Sequence, residues 1–272
     1  VYSEGKVPRG GWGNLDPTLC EKILLQIKKN PPALGVSLHL AGEPMLHPEI
    51  DRLVKLVHEH LGTLPTMASN GTVMTEEKSD SIARAGGASI VICFSSDPKV
   101  FERMRTGGDW EMTRKNISYA LDAGLHISLH AYDEDIEGMR KLFGEDPNLV
   151  ITRFQMHNFC GDFSNVVERR FNLTVDRSRY HPCSHLWFGM AVAWNGEVVI
   201  CCRDSLHEHP TGNLNSQTVE EVWRGDEFIR LRYLHARRDL DELELCKTCD
   251  RPFDPANRPG MILKKYSRYL KF

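Results

Sequence analysis

The apolar residues of the first half of the chain switch repeatedly between a helical and a strand period. Cys20, Ile23, Leu24 and Ile27 recur at the spacing of one helical face. Asp16-Pro17, just ahead of them, supplies an N-cap and a first-turn proline, and Asn30-Pro31-Pro32 stops the helix. Gly35 to Leu40 reads as a strand. A second helix opens at Pro48, carries Ile50, Leu53, Val54 and Val57 on one face, and ends at Gly62. Thr66 to Ser69 is a short strand, and Thr75 to Ala85 a helix closed by Gly86-Gly87. Ala88 to Phe94 is a nearly continuous apolar run, as expected of a parallel strand buried on both faces. Asp109 caps a helix that ends at Gly124, Leu125 to Ala131 is a strand, and a shorter helix leads to a strand from Leu149 to Met156. Strands alternating with helices predict a parallel α/β sheet, and five such units fall short of a complete eight-unit barrel.

The pattern changes near Cys183. Phe188 to Trp194 and Glu197 to Cys201 read as two strands joined by Asn195-Gly196, a strong hairpin signal. Thr218-x-x-Glu221 is a capping box that opens a helix with Val219, Val222 and Trp223. Two domains are expected, residues 1–180 and 181–272. Composition narrows the classes. Hydrophobic residues are 41% and charged residues 26% of 272, which suits a globular chain, and a net charge of −3 leaves no large basic surface for nucleic acid or an anionic membrane. No apolar run reaches the length of a membrane span and no signal peptide is visible, so a cytoplasmic protein with reduced thiols is expected.

Chemistry concentrates in the second part. Cys183 precedes the hairpin, Cys201 ends its second strand, and Cys246-Lys-Thr-Cys249 puts two sulfurs on one turn. Four thiolates around one centre suit zinc or an iron–sulfur cluster. The blander alternative is a set of buried thiols. Cys201-Cys202 leaves the third ligand ambiguous. Cys20, on a helix face, and Cys93, in an apolar strand, read as core.

With these residues in view, the sequence resembles radical S-adenosylmethionine (SAM) enzymes over most of its length. Ala41-Gly42-Glu43-Pro44 is similar to that family's G-G-E-P motif, Ser69-Asn70-Gly71-Thr72 to its T-N-G-T stretch, Ser95-Ser96-Asp97 to its S-x-D strand end, and Arg105-Thr106-Gly107-Gly108 to R-x-G-G. The part from Cys183 resembles the family's twitch or SPASM extension, and the spacing is most similar to the butirosin-pathway aminocyclitol dehydrogenase group. The resemblance implies a partial (β/α)6 TIM-like barrel lacking its first strand, plus a small hairpin-and-helix iron–sulfur domain. It also implies an auxiliary [4Fe–4S] cluster on Cys183, Cys201, Cys246 and Cys249, with Cys201 chosen over Cys202. SAM would lie against Gly42, Glu43, Pro44 and Ser95. His130, in a strand end, could line the same pocket, as could Gln155 and His157. The family's C-x-x-x-C-x-x-C loop is absent from these residues; it is expected upstream of Val1, with a second [4Fe–4S] cluster on it.

The implied activity is oxidation by hydrogen-atom abstraction, with the auxiliary cluster accepting an electron. The implied substrate is a sugar, cyclitol or peptide, and the implied electron donor is of the flavodoxin or ferredoxin kind. Three alternatives stand beside it, one of them a peptide-modifying maturase. Cys160, just past the last strand, could return a hydrogen atom as the catalytic thiol of an epimerase. Or the chain could be a non-catalytic zinc- or cluster-binding module.

Overall fold

A computed structural model of the chain describes residues 7–29, 35–153, 160 and 176–254. It divides into two compact units, Cys20–Gln155 and the combination of Val1–Leu19 with Met156–Phe272.

The first unit is built on four parallel strands in the order β1 (Thr66–Ser69), β2 (Ser89–Cys93), β3 (His126–Ala131) and β4 (Leu149–Arg153). Helix α1 (Pro17–Lys29) spans the division, and α2 (Ile50–Leu61) precedes the sheet. Crossovers carry α3 (Glu76–Arg84), then α4 (Pro98–Met104) and α5 (Trp110–Asp122), then α6 (Ile136–Phe143). The end signals act as the sequence suggests. The Thr75 hydroxyl accepts the Lys78 N–H at the start of α3, the Asp109 carboxylate accepts the Met112 N–H at the start of α5, and Gly62 closes α2 in the left-handed conformation.

Burial along the strands alternates. Met67, Ile90, Ile92, Ile127 and Leu129 are buried on one face. The register places Ala68 beside Val91, Val91 beside Ser128, and Cys93 beside His130 on the other, half-buried face. The run from Ala88 to Phe94 is thus not buried on both sides. Its alternate positions are half-buried. Each fully buried Ile or Leu contributes about 1.5–3 kcal/mol, so the apolar face holds the sheet.

The expected strand from Gly35 to Leu40 is reduced to one parallel bridge between Ser37 and Thr66, with their hydroxyls 2.7 Å apart. A side chain ends the ladder: the Ala68 N–H donates to His39 Nδ1 at 3.1 Å. Burial lowers the His39 pKa. A histidine that resists protonation when folded stabilises the fold above its unfolded pKa of about 6.5, and that contribution is lost as pH falls below it. Burial lowers the His130 pKa as well. The denaturation midpoint of the sheet unit should therefore fall between pH 7.5 and pH 5.5. His39→Asn, which keeps an acceptor but cannot titrate, should show a smaller fall; an equal fall would remove His39 from the account.

The second unit carries an antiparallel sheet of β5 (Ala191–Val192), β6 (Glu197–Val199) and β7 (Pro210–Asn213). Gly196 turns the hairpin at φ +84°, and the Asn195 side-chain oxygen accepts the Glu197 N–H. Around the sheet lie α7 (His185–Phe188), α8 (Val219–Trp223), α9 (Asp226–Arg237) and α10 (Glu244–Lys247). The capping box forms as read, with Thr218 and Glu221 bonded reciprocally. The expected strand from Phe188 is corrected at its start. Phe188 ends a helical turn and is exposed, so an aromatic pair that reads as strand is solvent-facing here. The strand at 210–213 has Pro and Gly in place of an apolar alternation, and only pairing with β6 reveals it.

The N-terminal segment packs within this unit. The Trp194 indole N–H donates to Gly11 O at 3.1 Å, and the Arg9 N–H donates to Leu206 O at 2.8 Å. A Cβ on Gly13 would lie 2.4 Å from the Trp194 ring. Gly13→Ala should therefore cost about 1–3 kcal/mol, read as a lower urea midpoint for this unit.

Candidate functional site

Three short elements bring the cysteines of the second unit together. Cys183 precedes α7, Cys201 follows β6, and Cys246 and Cys249 flank the end of α10. All four line one cavity, with Cys160, His185, Arg203 and His235. Cys201 turns into it, and its Sγ accepts the Arg203 N–H at 3.4 Å. Cys202 lies outside that lining, is exposed, and has its Sγ 3.8 Å from His185 Nε2.

The walls are charged and polar. Arg203 Nη1 donates to Cys249 Sγ at 3.3 Å and forms an ion pair with Asp250 at 2.6 Å. Both side chains are largely buried, 8% and 13% exposed. Cys249 also receives a hydrogen bond from the Cys160 thiol. That bond, assisted by the Arg203 charge, pulls its pKa down to about 6, and the same bond together with burial pushes the Cys160 thiol far up. Burial raises Cys183 to about 11 and Cys246 to about 12, and raises Cys201 well above its ordinary value. Metal ligands of this type bind as thiolates, so metal uptake here would release protons.

These residues fit a cluster. Cys183, Cys201, Cys246 and Cys249 all line one cavity, and four thiolates are the donor set of an iron–sulfur cluster. His235 adds an acceptor-seeking N–H. Its Nδ1 accepts the Cys183 N–H at 3.3 Å, which puts the proton on Nε2. Burial keeps the ring neutral, with a pKa of about 4, and the buried Nε2 has no partner among the described residues. Cluster sulfides and cysteinyl sulfurs accept such N–H groups, which also tune the reduction potential.

In the sheet unit, Glu43 caps a short 3-10 turn, Pro44–Leu46. Its carboxylate accepts the Met45 N–H at 3.1 Å, the Ser69 hydroxyl at 2.7 Å and the Asn70 N–H at 2.7 Å. A carboxylate offers about four acceptor positions, so most of this one holds the loop to the end of β1. Gly42, at φ +153°, adopts a backbone conformation that favours glycine, and a Cβ there would meet open space. Ser95 is buried just past β2, where its hydroxyl accepts the Asp97 N–H at 3.2 Å and its carbonyl accepts the Trp110 indole N–H at 2.9 Å. Phe94 packs against Phe101, Trp110 and Phe143 directly behind it. His130 is half-buried on the polar face of β3. Gln155 and His157 lie outside the described residues.

Residues 3–142, more than half of the chain, match the Radical SAM superfamily. The chain belongs to the radical SAM superfamily. Residues 183–250 match SPASM, an iron–sulfur cluster-binding domain, a span that holds Cys183, Cys201, Cys246 and Cys249. SAM, a [4Fe–4S] cluster and an auxiliary iron–sulfur cluster are therefore the cofactors of this radical SAM protein. It is 21% identical over 239 residues to the S-adenosyl-L-methionine-dependent 2-deoxy-scyllo-inosamine dehydrogenase of Niallia circulans, covering 88% of this chain and 81% of that protein. Its fold is similar to that of BtrN in complex with AdoMet and 2-DOIA, with a TM-score of 0.60 and 19% identity over 87% of this chain and 80% of that one. Streptococcus suis SuiB bound to precursor peptide SuiA gives a TM-score of 0.60 and 17% identity over 80% of this radical SAM chain and 60% of that one.

Sequence reasoning passed over Arg203, Asp250 and His235. The first two had a signal, since each stands one or two residues after a ligand-type cysteine, where a side chain folds back over the site. His235, on α9, had none: only tertiary packing brings it to the cavity. No helix among the described residues is long and apolar enough to cross a membrane.

Proposed function

We propose that this radical SAM protein is an oxidoreductase of the dehydrogenase type, acting on a hydroxyl-bearing small molecule such as a sugar or cyclitol, or on a peptide. The cavity that Cys183, Cys201, Cys246 and Cys249 line carries the reading, because a net oxidation needs somewhere to put a substrate electron. When bound, SAM and its [4Fe–4S] cluster would supply hydrogen-atom abstraction, and the auxiliary cluster would supply an acceptor for the one further electron, the hydroxyl proton passing to solvent. Cys183, Cys201, Cys246 and Cys249 would hold that cluster, with Arg203 offsetting its negative charge. Glu43 fixes the loop at the end of β1, so that Gly42 and Pro44 present their backbone in one place for the methionyl end of SAM. The Ser95 backbone is braced by Trp110 at the end of β2, where it would meet the ribose, and His130 would line the polar face beside it.

The Niallia circulans dehydrogenase supports a cyclitol and the peptide-bound SuiB structure supports a peptide. Cys160 lines the cavity of Cys183, Cys201, Cys246 and Cys249, which favours a place at the auxiliary site over return of a hydrogen atom to substrate. The test is anaerobic turnover of the full-length gene product with SAM and a flavodoxin or ferredoxin donor against sugars and cyclitols. Deoxyadenosine and a ketone should appear in equal amounts. An epimer without ketone, or no deoxyadenosine with any substrate, would overturn the reading, as would an upstream coding sequence without C-x-x-x-C-x-x-C.

A further inference from the structure

Two of the buried side-chain nitrogens that have no hydrogen-bond partner among the described residues belong to residues lining the cysteine cavity. They are His235 Nε2 and Arg251 Nε. A buried donor left unpaired costs stability, so two of them at one cavity point to an acceptor that the chain itself does not supply. Their other contacts fix their state. His235 is 1% exposed, and its Nδ1 accepts the Cys183 N–H at 3.3 Å, so the ring proton sits on Nε2. The Tyr180 hydroxyl braces the residue by donating to its carbonyl at 2.6 Å. Arg251 Nη1 pairs with Asp254 at 2.8 Å, which leaves the Nε–H, a donor that arginine never gives up. Leu186, Ile200, Leu245 and Pro252 line the same cavity with apolar side chains. A metal ion alone presents no acceptor of its own, whereas an iron–sulfur cluster carries electron-rich sulfurs.

We propose that His235 and Arg251 donate these two N–H groups to sulfurs of the auxiliary cluster and so raise the potential at which it accepts an electron. The proposal rests on the cluster reading above and deepens it. Reduction adds one negative charge to a cluster, and N–H groups pointed at its sulfurs stabilise that charge. Arg203 Nη1, already 3.3 Å from Cys249 Sγ, brings a further N–H to the same site. His235 and Arg251 are positioning residues: they neither ligate iron nor carry the electron. His235 cannot ligate through Nε2 while Nδ1 accepts the Cys183 N–H, because the neutral ring then holds its proton on Nε2. The same contact ties the donor to a ligand, since the residue that supplies one thiolate also orients the imidazole. A cluster held at a higher potential takes an electron from a substrate radical more readily, which is what a net oxidation asks of it.

The 272-residue chain has no C-x-x-x-C-x-x-C, so its iron after anaerobic reconstitution reports the auxiliary site alone. A redox titration of the loaded chain, followed by electron paramagnetic resonance, reads the proposal. His235→Leu replaces a neutral ring by a neutral side chain, so a shift reports the lost N–H and not a lost charge; its midpoint potential should fall below wild type. His235→Gln, whose amide nitrogen can reach the Nε2 position, should stay nearer to wild type. Arg251→Lys keeps the charge but has no Nε–H, and its potential should also fall. An unchanged potential in His235→Leu, or equal falls in His235→Leu and His235→Gln, overturns the role of His235; an unchanged potential in Arg251→Lys overturns that of Arg251. A second reading keeps the wild-type fold. With nitrogen-15 in its histidines, the reduced wild-type cluster should show a histidine nitrogen coupling in pulsed resonance. His185 lines the cavity too, and His185→Gln should keep the coupling. No coupling in wild type, or its loss in His185→Gln, overturns the hydrogen bond from His235 while the cluster reading stands. A wild-type chain that takes up no iron and sulfide overturns both.

Discussion

Cys201→Ala should abolish the auxiliary cluster, whereas Cys202→Ala should leave its iron and sulfide content at the wild-type level. The two cysteines are adjacent and chemically identical, so the difference is one of placement. Cys201 lines the cavity and its sulfur accepts the Arg203 N–H, while Cys202 is exposed and outside the lining. Reaching the cavity from Cys202 would require the backbone after β6 to turn over. The energetic scale is large, because binding free energy at thiolate sites of this kind reaches about 10–16 kcal/mol for structural zinc. Reconstitution of both variants with iron and sulfide, read by metal analysis and visible absorption, checks the pair. Equal retention in both, or loss in Cys202→Ala alone, would move the ligand to Cys202.

Arg203→Met should destabilise the second unit by about 3–5 kcal/mol, because it removes one partner of a largely buried ion pair. Arg203→Met combined with Asp250→Leu should recover part of that loss, since removing both charges spares the desolvation cost of either alone. Urea unfolding of the metal-free chains reads this. The loaded Arg203→Met chain gives a second signature. Without the Arg203 N–H on Cys249 Sγ, the cluster loses a hydrogen bond and a positive charge, so its reduction potential should fall. Arg203→Lys should restore the charge but not the paired geometry, and so recover the potential more than the stability. An unchanged potential in Arg203→Met would separate Arg203 from the cluster.

The parts of the fold legible in the sequence were those fixed by neighbours in the chain. Thr75, Asp109 and the Thr218–Glu221 box cap their helices through contacts three residues away, and Asn195-Gly196 turns a hairpin by its own conformational preference. The elements that escaped depend on distant partners. The Gly35–Leu40 strand yields to a His39 ring that takes the Ala68 N–H, and the strand at Pro210–Asn213 exists only because β6 lies beside it. The candidate sites divide in the same way. The four cysteines were visible because their spacing follows a hairpin and a turn. Cys160 was visible as a residue but not in its surroundings, since the segment that anchors it, around Thr248, lies 88 residues away. Glu43 was expected to meet a ligand, and the structure adds that it first ties its own loop to Ser69 and Asn70.

The central claim is that Cys183, Cys201, Cys246 and Cys249 enclose an auxiliary [4Fe–4S] cluster. Anaerobic reconstitution of the 272-residue chain, followed by analysis of iron, acid-labile sulfide and zinc together, tests it most directly. About four irons and four sulfides per chain, with no zinc, is the predicted result. One zinc per chain without sulfide would contradict it.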